Sequence, residues 1–165
     1  MQVTLSPVEF DVAVNSARVR MLLSAAKKLN HSSTYERNFI KRLEEEVVGA
    51  CAELALGKLT GEYFIPSLGT FHHTPDFLKD VEVRGTALDT GRLILRNNDS
   101  DERRYVLAIV DAPKVTFMGW IKGKDGRKPE YVRNPKGYRK AHFVPQEALR
   151  PMSEFRKGTA AKVVR

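Results

Sequence analysis

The sequence predicts an α+β domain in which two N-terminal helices pack on a mixed, mainly antiparallel sheet. Two observations carry that prediction. Apolar residues recur at helical spacing through the first third of the chain, whereas short β-rich runs separated by turn residues fill the rest. With 165 residues, 42% of them hydrophobic, the chain can bury one substantial core. That fits a single domain over residues 1–152 followed by a basic tail, 153–165.

The first helix is expected over residues 8–29, where Phe10, Val14, Ala17, Met21 and Ala25 repeat at helical spacing behind Ser6 as N-cap and Pro7 at the first helical position. A polar break at 30–33 separates it from a second helix with the stripe Phe39, Leu43, Val47, Ala50 and Leu54. Thr34 is placed to cap that helix and Gly57 or Gly61 to end it. Strands are expected at 81–84, 92–96, 105–110, 115–121 and 141–144, with 71–74 a further extended stretch before Pro75. Asn97-Asn98-Asp99-Ser100-Asp101 reads as a hairpin tip, and 122–140 as a long connection rich in Lys, Arg, Gly and Pro. In the fourth run, alternation puts Phe117 on one face and Met118 and Trp120 on the other, with Trp120 a core anchor.

Charge narrows the partners. The chain carries 28 Lys and Arg against 20 Asp and Glu, a formal net charge of +8, which suits a polyanion: nucleic acid first, an anionic membrane surface second. No run approaches the roughly 18 apolar residues of a membrane span, and the N-terminus lacks a signal-peptide layout, so no membrane and a cytoplasmic location are expected. Cys51 is the single cysteine, which excludes an intrachain disulfide and a cysteine zinc cluster and leaves a packing role.

Three carboxylates stand where chemistry can be built. Glu53 lies near the end of the second helix, about 80° from its apolar stripe. Asp76 follows Pro75, and six residues later Glu82 sits in Val81-Glu82-Val83-Arg84, where alternation sends Glu82 and Arg84 out of one face side by side. One Asp, one Glu and a strand carbonyl suffice to hold Mg²⁺ or Mn²⁺, which lowers the pKa of a bound water and braces a phosphate.

Pro75-Asp76 followed by Glu82-Val83-Arg84, with Glu53 on a preceding helix, resembles the signature of PD-(D/E)xK nucleases. The resemblance extends over about residues 44–152. In this stretch Val83-Arg84-Gly85-Thr86, Gly91-Arg92-Leu93-Ile94, Gly119-Trp120-Ile121 and Phe143-Val144-Pro145-Gln146 are similar to uncharacterised phage and prophage proteins of that superfamily. It implies Asp76, Glu82 and the Val83 carbonyl as metal ligands, Glu53 as a ligand or water-positioning group, and Arg84 in the position where the family has lysine. Arginine stays charged and can orient or neutralise but cannot act as a base. The family also places a helix after its third strand, where residues 85–105 here read as a hairpin.

His72 and His73 point to opposite faces of an extended segment, which disfavours a shared metal. His142 reads as a packing or surface residue, and Glu44-Glu45-Glu46 as a solvated helix face, with Glu46 within about 20° of Glu53 on the wheel. Lys122, Lys124, Arg127, Lys128, Arg133, Lys136, Arg139 and Lys140, interleaved with Tyr131 and Tyr138, form the candidate phosphate-contact set. They carry no base-reading motif. Three functions fit: a Mg²⁺-dependent nuclease acting on DNA, with RNA also open; a catalytically silent relative that binds nucleic acid; and a basic protein that docks on an acidic protein partner.

Overall fold

In the computed structural model, which describes residues 1–26, 39–62, 80–135 and 139–155, the first helix, α1 (Pro7–Ala26), starts where its sequence signals place it. Ser6 Oγ accepts the Glu9 N–H at 3.3 Å, and the Glu9 carboxylate accepts the Ser6 N–H at 2.6 Å, a reciprocal capping box with Pro7 just inside. The second helix, α2 (Phe39–Thr60), ends at Gly61, whose φ of 67° lets Glu62 N–H reach the Gly57 carbonyl and Gly61 N–H that of Lys58. Gly57 is buried inside the helix, so of the two candidate stops the second is used. Thr34, the expected cap of α2, lies outside the described residues.

The strands are β1 (Gln2–Thr4), β2 (Val81–Thr86), β3 (Leu93–Leu95), β4 (Arg104–Asp111), β5 (Lys114–Lys122), β6 (Val132–Arg133) and β7 (Ala141–Val144). They form two sheets. A mixed four-stranded sheet has the order β1-β5-β4-β2, with β2 parallel to β4 and the other pairs antiparallel, and a three-stranded antiparallel sheet has the order β3-β7-β6. The molecule is therefore α+β, but its strands divide between two sheets where one was expected. The reason is visible at β4, whose two edges are already taken by β2 and β5, so β3 pairs instead with β7 through Leu93↔Val144 and Leu95↔His142. Residues 97–101 consequently link two sheets and are not a hairpin tip.

Two cores follow. On one face of the larger sheet Val81, Val83, Val106, Ala108, Phe117 and Trp120 pack with the 50–56 stretch of α2. On the other face Tyr105, Leu107 and Ile121 pack with Leu93, Leu95 and Val144 of the smaller sheet. Leu93 and Leu95 are 0% exposed, worth about 2 kcal/mol each, which fixes the lie of β3. Phe117 and Trp120 share the helix-side core, contrary to simple alternation. Leu107 aligns with Gly119 and Ala108 with Phe117, so Met118 is an extra residue that resets the face. A Cβ on Gly119 would lie 2.6 Å from the Arg150 carbonyl oxygen, where Trp120 and Arg150 exchange backbone hydrogen bonds of 2.9 and 2.8 Å.

The connection after β5 is not structureless: it contains a short helix, α3 (Gly123–Gly126), a 3-10 turn (Pro129–Tyr131) and β6. Among the described residues, no helix is long and apolar enough to cross a membrane.

Candidate functional site

Strand β2 positions the central residues as its alternation predicts. Val81 and Val83 face α2, while Glu82 and Arg84 emerge on the opposite face, beside Tyr105 and Leu107 of β4. Glu82 is only 7% exposed and accepts a hydrogen bond from Arg103 Nη1 at 2.8 Å, with Arg84 Nη2 at 3.8 Å. The Arg84 guanidinium donates at 3.0 Å to the Asp99 carboxylate and lies 5.6 Å from the centre of the Tyr105 ring.

From there the network runs into the 96–101 loop. Asp99 accepts the Arg96 N–H at 2.8 Å, and the Tyr105 hydroxyl donates to the Ser100 carbonyl at 3.1 Å. Arg127 reaches over from beyond α3 to bond the Asp101 carboxylate and the carbonyls of Arg96 and Asp99. Burial, reinforced by the Asp99 carboxylate, pushes the Tyr105 hydroxyl up to about 12, so it remains a donor at neutral pH.

Glu53 belongs to a different layer. It is 7% exposed within α2, and its two oxygens accept from Arg20 Nη1 at 2.9 Å and Nη2 at 2.6 Å, a bidentate pair that joins α1 to α2. Arg20 also lies 4.0 Å from Glu46, so the two glutamates aligned on the helical wheel share one guanidinium. Strand β2 thus stands between Glu53, in the helical layer, and Glu82, on the far face. Val83 is packed in the helix-side core. Asp76, His72 and His73 lie outside the described residues.

Among the described residues, no group of three His, Cys, Asp or Glu side chains is arranged to hold a metal ion. Mg²⁺ asks for oxygen ligands in octahedral order, and here Glu53 and Glu82 are both engaged by arginine. Glu82, which accepts from Arg103 at 2.8 Å, is the better fit, because Asp76 stands six residues upstream of it in the sequence. Glu53, held bidentately between two helices, fits less well.

No family model, curated protein or solved structure matches this chain.

The basic set divides. Arg127 is a clamp on the 96–101 loop and not a free phosphate contact, because it is spent on internal oxygens. Lys122 stands 4.0 Å from Glu102, and Arg133, though exposed, donates to the Glu130 and Val132 carbonyls at 2.8 Å each. Lys124, Lys128, Arg139 and Lys140 are exposed, with Lys128 5.7 Å from the Tyr131 ring centre. Lys136 and Tyr138 lie outside the described residues.

Sequence reasoning missed the arginines that meet the carboxylates. Arg20 carried a usable signal: it adjoins Met21 and lies three positions from Ala17, both buried, and a cation in such a stripe implies a buried acid partner. Arg103 carried none, since its meeting with Glu82 depends on β2 and β4 being parallel neighbours.

Proposed function

We propose that this chain binds nucleic acid through the phosphate backbone, using the 122–140 segment as its contact surface. The observation that carries this reading is the charge of that segment. It holds eight cations against Asp125 and Glu130 alone, so most of the net +8 is concentrated there. The exposed Lys124, Lys128, Arg139 and Lys140 can neutralise phosphates without reading bases, which favours backbone or shape recognition, with DNA the first expected polymer. The engagement of Glu53 and Glu82 by arginine supports binding over hydrolysis as the primary role.

A second reading, Mg²⁺- or Mn²⁺-dependent hydrolysis of DNA phosphodiesters, is favoured by one feature: Glu82 flanked by two arginines, with Asp76 six residues before it. Asp76 and Glu82 would hold the metal, which when bound supplies an activated water and neutralises phosphate charge. Arg103 would have to release Glu82, and Arg84, permanently charged, would steady the phosphate.

The test is fluorescence anisotropy of labelled duplex and branched DNA over a salt series, with cleavage followed in Mg²⁺ and Mn²⁺. Backbone binding predicts a linear fall of log affinity with log salt. Neutralising Lys124, Lys128, Arg139 and Lys140 to Gln should shrink that slope by about 0.9 for each phosphate that the variant no longer neutralises. Cleavage by the wild type that vanishes in an Asp76→Asn, Glu82→Gln double variant would establish the second reading. Absence of salt-sensitive binding would sink both and leave a protein partner as the ligand of the basic surface.

A further inference from the structure

Helix α1 carries apolar side chains on two sides. Ala13, Ala17 and Met21 are buried, but Val8, Val12 and Leu22 face outward at 74%, 38% and 60% exposure, with Val19 half-buried between them. A helix that covers one side of a domain needs only one apolar face, so the packing among the described residues leaves the second stripe unexplained. Positions 8, 12, 15, 19 and 22 are spaced alternately four and three apart, the seam of a two-helix coiled coil, with Asn15 at its centre. A shallow depression lined by Asp11, Val12, Asn15, Ser16 and Val19 lies at the middle of the seam.

We propose that a second copy of this chain docks on this face, its α1 antiparallel to the first about a two-fold axis at Asn15. The residues themselves select that occupant. With Asn15 against its symmetry mate, Val8 falls level with Leu22, and Val12 meets Val19 with an axial offset of one residue, about 1.5 Å, in both halves at once. Asp11 and Arg18, both exposed and seven residues apart on one flank of the seam, then face each other across the axis and form two ion pairs by symmetry. A parallel pairing sets Asp11 against Ser16 and Arg18 against Leu23, with no ion pair. The Asn15 amide donates to the Asp11 carboxylate and carbonyl at 3.0 Å each, which holds that carboxylate on the flank where the second copy's arginine arrives. One polar residue in an apolar seam is the device that fixes register.

From Val8 to Leu22 the seam is about 21 Å long at 1.5 Å per residue, and at a helix width of about 10 Å it covers about 200 Å² on each copy, well short of the roughly 800 Å² per partner of a standard interface. The dimer is accordingly weak and weakened further by salt. This inference is independent of the nucleic-acid reading.

Sedimentation of the full chain across the micromolar to millimolar range should show concentration-dependent dimers at low salt. Val12→Glu with Leu22→Glu should abolish them with the helical circular dichroism unchanged, since both side chains are exposed. Asp11→Arg or Arg18→Asp alone should weaken the dimer, and the two together should restore it. Under mild oxidation Asn15→Cys should give a disulfide-linked dimer, whereas Val8→Cys should not, because its two copies lie about 21 Å apart in the antiparallel pair. Cys51, 0% exposed with its thiol pushed up to about 11 by burial, does not interfere. A chain that stays monomeric throughout, a double charge swap no better than either single, or self-crosslinking of Val8→Cys would overturn the proposal.

Discussion

Replacing Glu53 by alanine separates a structural carboxylate from a chemical one. Its partner Arg20 is 14% exposed at the side chain and Glu53 itself 8%, so screening by water is slight and the pair counts as buried. Removing one member of such a pair costs about 3–5 kcal/mol, because the other charge is left without compensation. Glu46, 4.0 Å from Arg20 and 39% exposed, retains part of that compensation and sets the expectation at the lower end, about 3 kcal/mol. For a chain of this length that is a fall in Tm of about 6–12 °C. Urea unfolding would show it as a lowered midpoint at unchanged slope. An Arg20→Met, Glu53→Met double variant should return to within about 1 kcal/mol of wild type, since an apolar pair of similar volume replaces a buried ion pair at little cost. If Glu53→Ala were neutral within about 0.5 kcal/mol, or stabilising, the structural account would fail.

Arg127→Ala should speed amide exchange across 99–101 and lower stability by about 1–3 kcal/mol while leaving the salt slope of DNA binding unchanged; a slope smaller by about one unit would show that it contacts phosphate after all. The Lys58 amine at 2.8 Å, followed by the Ser6 N–H, holds the Glu9 carboxyl below its ordinary 4.5, so its contribution to stability is present above that pH and lost as pH falls through the lowered value. Glu9→Gln should therefore flatten the acid limb of a stability-versus-pH curve below 4.5, and an unaltered limb would refute the assignment. Gly119→Ala, whose new methyl would meet the Arg150 carbonyl oxygen, should cost about 1–3 kcal/mol and loosen the 149–152 segment in hydrogen exchange; a silent substitution would mean that the bulge relaxes freely.

What the chain states locally, it states clearly. Ser6 and Pro7 fix the start of α1, and the alternation in β2 the opposed faces of Val83 and Glu82, because each rule needs only a few neighbouring residues; for the end of α2 the sequence offered Gly57 and Gly61 alike, and the fold uses Gly61. The division into two sheets was not legible, since it turns on competition for the edges of β4, a long-range matter that strand propensity does not encode. Nor was β1, three residues long, whose antiparallel pairing with β5 joins positions more than a hundred residues apart. Trp120 shows a third kind of failure: one extra residue at Met118 inverts everything beyond it, and the run itself gives no sign of where β4 will shift register. The placing of Glu82 and Arg84 on one face of β2 was legible in its alternation; that Glu53 lies on the other side of that strand was not, nor were Arg20 and Arg103, which bond the two glutamates.

The division of the cations between internal and exposed positions has a physical basis in how the two cation types are used. Arg20, Arg84, Arg104 and Arg127 each present a planar fork to oxygen atoms of the chain, with Glu53, Asp99, Asp80 and Asp101 as the carboxylate partners. A guanidinium is weakly hydrated and geometrically matched to that duty, whereas a lysine ammonium is a strongly hydrated point charge better left in water. Lys124, Lys128 and Lys140 are accordingly exposed, joined by Arg139. The internal arginines thus bring their own counter-ions and add little to the net charge that a distant polyanion meets. Most of the excess positive charge lies on the lysine-bearing segment between β5 and β7, which holds eight cations against Asp125 and Glu130, and a polyanion approaching the proposed surface would meet its field there. Composition alone reports the excess, but only the fold decides which cations are free to express it.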